Sequence, residues 1–218
     1  MTPLPLADVE DVVFHVANVL RIPVIVATIA ALLFVLFETG ALVVELVRRR
    51  HRNPQVVEAA ARDARTAMEE GDRGRAAQRL ASVASSSAMW DAMKRLLDHV
   101  GTGPDATNWM SKVLADFDLG SVQRLERTRL LVRAGPALGL MGTLIPLAPA
   151  LTGLANGNVK ELTDNLRVAF SVTVLGLLIG VIAFSISLVR DRLYAQDLSD
   201  LEIIASELQT ATVETATA

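Results

Sequence analysis

VAFSVTVLGLLIGVIAFSISLV, residues 168–189, contains no ionisable side chain. A helix at the surface of a soluble protein keeps a polar face for water, and this stretch has none to offer. It is long enough to cross a bilayer, which takes ~20 mostly apolar residues. Working back along the chain, AGPALGLMGTLIPLAPALTGL (134–154) has the same character and also lacks an ionisable residue. A third run starts at Ile22 with IPVIVATIAALLFVLF and extends to Val47, carrying Glu38 and Glu45 in its second half. Three transmembrane helices are therefore expected, at 22–47, 134–154 and 168–189. A cleaved leader is a poor reading of the first run because its flanks are reversed. Acidic Asp8, Glu10 and Asp11 precede it, and Arg48, Arg49, Arg50 and Arg52 follow it.

Basic residues orient the spans. Segment 48–133 holds sixteen of the twenty-one Lys and Arg, whereas the loop between the last two spans has only Lys160 and Arg167. This predicts a multi-pass protein of the cytoplasmic (inner) membrane with its N-terminus outside and its C-terminus in the cytoplasm. Residues 1–21 read as an amphipathic helix on the outer face, with Val9, Val12, Val13, Val16 and Leu20 at helical spacing. Residues 48–133 read as a cytoplasmic helical segment, 155–167 as an outer loop, and 190–218 as a cytoplasmic C-terminal helix with a frayed tail. Within 48–133, one helix follows Pro54, a turn falls at 69–74, and a second helix covers about 75–100. GTGPD (101–105) breaks the chain, and a third helix starts near Thr107 or Asn108 and runs towards the second span, with Gly120, Gly135 and Pro136 as points of bending. Trp90, Met93, Leu97, Trp109 and Met110 are expected in the core between these helices. On the tail helix Tyr194, Leu198, Leu201, Ile204 and Leu208 share a face. The fold class is all-α.

The whole chain has 218 residues, 51% hydrophobic, with formal net charge −3 and mean hydropathy +0.39. That mild average blends three nearly charge-free spans with strongly charged helices. The absence of cysteine excludes disulfides, thiolate metal sites and Cys nucleophiles. His15, His51 and His99 lie too far apart in sequence to suggest a metal site. No phosphate-binding loop, Walker motif or nucleophile elbow is present, and no constellation of nucleophile, base and orienter is visible. An enzyme, a cofactor and a nucleic-acid partner are therefore not expected.

The second and third spans carry small residues at spacings of three and four: Gly135, Gly139, Thr143, Pro146, Ala150 and Gly153 on one, and Ala169, Thr173, Gly176, Gly180 and Ser187 on the other. Such stripes let helices approach closely in a membrane, and Gly135, Gly142 and Gly180 are assigned to helix packing. Thr143 and Thr173 add hydroxyls to the stripes. Pro146 and Pro149 remove helical N–H donors and free carbonyls. Proton relays through membranes normally use Asp, Glu or His, and these two spans hold none. If protons pass here, the titrating carboxylate comes from another chain. Glu38 falls near the inner boundary of the first span and is read as interfacial, paired with an arginine; Arg167 is interfacial at the other side.

GPALGLMGTLIPL (135–147) and AFSVTVLGLLIGV (169–181) resemble the MotA/TolQ/ExbB proton-channel family. The family's run Pro-Leu-Leu-Gly-Leu-Leu-Gly-Thr-Val is matched by Pro136-Ala-Leu-Gly-Leu-Met-Gly-Thr143-Leu. In the third span Gly176 follows Thr173 by three residues, where the family has two. The topology resembles the TolQ/ExbB branch. The resemblance implies a homopentamer whose second and third spans line a central pore. It also implies a single-span partner of the ExbD/TolR/MotB type, which supplies an intramembrane aspartate. Thr143 and Thr173 match the family's pore threonines, and with Pro146, Gly139 and Gly176 they form the expected ion pathway. The transported ion it implies is H⁺, with Na⁺ as the alternative. Two positions depart from the pattern: Val168 stands where ExbB-like members often have glutamate, and Pro146 and Pro149 are unusual in TolQ/ExbB. The function so implied is a pore-forming subunit that couples ion flow to movement of the partner. The alternative is a non-conducting oligomeric scaffold that presents its cytoplasmic helices.

Overall fold

The computed structural model describes residues 15–16, 19–49, 53–100 and 106–217. The outer-face helix expected over 1–21 lies outside the described residues except at 15, 16 and 19–21, and so does the break expected at 101–105. Six helices account for most of the described chain: α1 Arg21–Arg49, α2 Pro54–Glu69, α3 Arg73–Val83, α4 Ser87–Asp98, α5 Ala106–Ala155 and α6 Val159–Thr217. There is no strand among the described residues. Helices α1, α5 and α6 are each long and apolar enough to cross a membrane.

Local chemistry explains the boundaries. Helix α1 ends on Arg48 and Arg49, cations that suit the negative end of the helix dipole. Asn53 caps α2 by accepting from the Gln55 amide, and Pro54 occupies the first helical position, where its missing N–H costs nothing. At the other end of α2, Gly71 adopts φ +79°. Its amide donates to Met68 O, and the Asp72 amide donates to Ala67 O. This is the six-to-one, five-to-two pattern that a left-handed glycine closes. The Asp72 carboxylate then caps α3 through the Arg75 amide.

Two expectations about boundaries are revised. The helix expected over 75–100 is two helices, because Ala84 is extended and the Ser86 hydroxyl accepts from the Met89 amide to start α4. A serine at this position competes with the helical backbone and favours a cap over a helix interior. The outer loop expected over 155–167 contracts to a three-residue turn. Gly157, at φ +76°, closes α5 with the same hydrogen-bond pattern as Gly71, through Gly157 N to Leu154 O and Asn158 N to Gly153 O. Asn158 Oδ1 accepts from the Glu161 amide and starts α6 immediately. Helix α5 is continuous from Ala106 through Gly120, Gly135 and Pro136. Helix α6 continues to Thr217, through the stretch expected to fray.

The chain divides into two compact units. One takes in residues up to 41 and 126–187; the other takes in 42–125 and 188–218. The first has a small core of Ala31, Val35, Ile179 and Ala183. Most of its large side chains face outward instead: Ile22, Val26, Leu33 and Phe37 of α1 and Phe170, Val174 and Val181 of α6 are all exposed. Outward apolar side chains at helical spacing are what lipid tails require.

The second unit has the larger core. Helix α2 buries Val57, Ala60, Ala61, Ala64 and Ala67, a small-residue stripe of one helical face. Leu80, Met89, Met93, Leu96 and Met110 pack with it, as do Leu201, Ile204 and Leu208 from α6. The expected face of the tail helix is thus the buried one. Trp109 departs from expectation. It is exposed and stacks on the His99 ring with centroids 4.6 Å apart, because the buried face of its helix is occupied by Met110, Val113 and Phe117.

Candidate functional site

Within the unit formed by residues up to 41 and 126–187, α5 and α6 touch backbone to backbone. A Cβ placed on Gly135 would stand 2.8 Å from Gly176 O and 2.9 Å from Gly180 N. One placed on Gly176 would stand 2.6 Å from Gly135 O and 2.7 Å from Gly139 Cα. Only glycine allows this approach. Gly180 faces the Pro136 ring at 2.9 Å, and Gly142 faces the Val172 side chain. The seam therefore contains Gly139 and Gly176, expected along the ion pathway, together with Gly135, Gly142 and Gly180, expected in packing.

The hydroxyls lie on this seam in different ways. The Thr173 hydroxyl is 3.0 Å from Ala169 O on its own helix and 3.2 Å from Gly139 O across the seam. It has two acceptors for one hydrogen, and its oxygen keeps lone pairs. The Thr143 hydroxyl donates to Leu140 O at 2.7 Å, within its own helix. Both threonines are half-buried. Thr143 lies one turn beyond Gly139, about 6 Å along the axis. Pro146 is buried and Pro149 half-buried; both lie inside α5. Their rings deprive the Gly142 and Ile145 carbonyls of helical donors, so these oxygens are available to other partners.

The remaining expected residues lie apart from this seam. Glu38 is half-buried on α1, and Arg167 is exposed on α6; the Arg167 carbonyl accepts the Ser171 hydroxyl at 2.8 Å. Val168, at the position where a family glutamate is common, is half-buried. No group of three or more His, Cys, Asp or Glu able to hold a metal is found among the described residues.

The unit of residues 42–125 and 188–218 contains a buried charge cluster that sequence reasoning missed. Arg49 Nη1 and Nη2 each donate to the Asp197 carboxylate at 2.7 Å, and Nη2 also reaches Glu45 at 2.9 Å. The Ser85 hydroxyl donates to Asp197 Oδ1 at 2.8 Å. Arg190 Nε stands 3.9 Å from Glu45. The Asp197 side chain is 0% exposed and that of Arg49 6%. A fork of two parallel bonds is the strongest arrangement available to a guanidinium and a carboxylate. A signal was present: Asp197 falls at helical spacing with Tyr194, Leu201 and Ile204, so it is an acid placed inside an apolar stripe.

No curated protein sequence matches the chain. Residues 121–203, which hold both glycine stripes, Thr143, Thr173 and Asp197, match the model of the MotA/TolQ/ExbB proton channel family.

Proposed function

We propose that this membrane protein is the pore-forming subunit of an ion-driven motor, in which ion flow through the spans of α5 and α6 moves a single-span partner. The observation that carries the reading is the chemistry of the seam. Between 134–154 and 168–189 the polar side chains are hydroxyls alone, and Thr173 reaches across to a backbone carbonyl at 3.2 Å. Such a surface accepts and donates hydrogen bonds but does not titrate near neutral pH. A carboxylate that binds and releases the ion then has to come from the partner, of the ExbD/TolR/MotB type. Each charge that crosses a potential of 100 mV releases about 2.3 kcal/mol, enough to bias a bistable assembly. Five copies around a central pore, H⁺ as the ion, and the cytoplasmic membrane as the location follow from the family resemblance. The basic segment 48–133 supports an N-terminus outside and a cytoplasmic C-terminus. No enzymatic step belongs to this reading.

Proton flux into vesicles holding the chain and its partner tests it. Thr143→Val and Thr173→Val each keep the side-chain volume and remove the hydroxyl, so flux should fall. Unchanged flux in both variants would remove these residues from the pathway. The non-conducting scaffold is favoured by the same glycine seam, which any tightly packed oligomer would need. It predicts that Gly176→Leu breaks assembly while both threonine variants behave as wild type.

A further inference from the structure

Immediately beyond the first span, a groove of about 390 Å³ opens within the unit of residues 42–125 and 188–218. Arg48, Arg49 and Asn53 line one part of it, and Val56, Val57 and Val83 line another. Among the described residues no acidic one lines it. The nearest carboxylates are turned to other work: Asp197 is fully enclosed and holds both terminal nitrogens of Arg49, and Glu45 is bonded to Arg49.

Two donors remain. Arg48 is exposed and makes no ion pair or hydrogen bond among the described residues. Asn53 uses its side-chain oxygen on the Gln55 amide, which leaves its NH₂ group. Arg49 itself is committed: its terminal nitrogens are held by Asp197 and Glu45, and its Nε is enclosed, out of reach of the groove. An exposed guanidinium beside a free amide NH₂ suits an anion with several acceptor oxygens.

We infer that this groove binds the phosphate of an anionic phospholipid headgroup. The shared chemistry is a phosphate. The valine wall favours a lipid over a free ion, because an amphiphile uses both parts of the groove. Clusters of basic residues directly beyond a span are suited to such lipids. The inference needs the first span to lie in a bilayer; it does not need ion conduction, so failure of the flux experiment leaves it standing.

The test uses the full chain in neutral detergent. Bound lipid is counted by native mass spectrometry, and Tm is followed with phosphatidylglycerol, with phosphatidylcholine and with inorganic phosphate. Phosphatidylglycerol should bind and raise Tm. Arg48→Gln should weaken that binding about fivefold, the effect of one basic residue at an anionic surface. Val83→Asp, which puts a carboxylate on the groove wall, should weaken it further. Arg192→Gln, an exposed arginine outside the groove, should leave it unchanged. Protection by inorganic phosphate that is also lost in Arg48→Gln would keep the phosphate site and assign it to a soluble ligand. Equal binding of phosphatidylcholine, or binding by Arg48→Gln and Val83→Asp as tight as wild type, overturns the inference.

Discussion

The glycine seam and the Arg49–Asp197 cluster solve opposite problems with one helix, α6, in common. In the seam, α5 and α6 meet because side chains are missing: Gly135, Gly139, Gly176 and Gly180 let backbone touch backbone. Nothing there carries charge, and Thr173 places one hydroxyl against a carbonyl. In the cluster, α6 meets the end of α1 through side chains that are fully charged and almost fully enclosed. The seam gains from van der Waals contact at close range, which is what drives helices together in lipid. The cluster gains only because each charge has its counter-charge, since burying either alone costs several kcal/mol. The first arrangement is broken by added bulk; the second is broken by the loss of a charge.

That contrast is most directly broken at Asp197. Asp197→Ala leaves Arg49 enclosed without its main partner, and Ser85 without its acceptor. The expected loss is about 3–5 kcal/mol of unfolding free energy, the usual range for removing one member of a buried pair. A denaturant titration in micelles measures it. The double variant Arg49→Met, Asp197→Leu should recover most of the loss, because the charge that was left behind is gone. If the double variant is no better than the single one, the cluster is not held together by charge pairing.

The seam is broken by volume. Gly176→Ala adds one methyl where a Cβ would lie 2.6 Å from Gly135 O and 2.7 Å from Gly139 Cα. Both neighbours are backbone atoms, so the helices themselves have to separate. Overpacking of this sort costs about 1–3 kcal/mol, and the same titration should show it. Gly120→Ala is the control: no atom lies within 4 Å of a Cβ there, and the change should be neutral or slightly favourable from helix propensity. Equal effects at the two glycines would mean that the seam is not tightly packed.

The two regions also differ in how far the sequence reveals them. The spans are legible because a bilayer demands a long apolar run, and the stripe of small residues is legible because its spacing repeats. Gly135 and Gly180 could be assigned to packing from that spacing alone. Which acceptor Thr173 reaches could not, since Gly139 O is thirty-four residues away and a backbone carbonyl carries no sequence signature. Asp197 sits in QDLSD, which looks like any solvated helix turn. Only the apolar period around it marks the position as buried, and its partners lie in α1 and just before α4. The split between α3 and α4 was hidden for a different reason: in a run of serines, one hydroxyl becomes a cap and the others do not, and local sequence does not choose between them.

The smallest effect is expected at a second aspartate, which sharpens the contrast from the other side. Asp91 pairs with Lys94 at 2.7 Å, much as Asp197 pairs with Arg49, but both side chains are largely exposed. The hydrogen bond and charge of Lys94 hold the Asp91 carboxyl below the ordinary carboxylate range. A depressed carboxylate stabilises the fold above its unfolded pKa, and that contribution disappears as pH falls through the folded value. Asp91→Asn should therefore fall slightly below wild type in stability at neutral pH, with the gap closing under acid. Solvent screens an exposed pair and side-chain entropy opposes it, so the gap should be far smaller than at Asp197. Stability measured across pH for both proteins checks this. A neutral-pH loss at Asp91 as large as the loss at Asp197 would show that pairing alone, and not pairing under burial, sets the strength of these contacts.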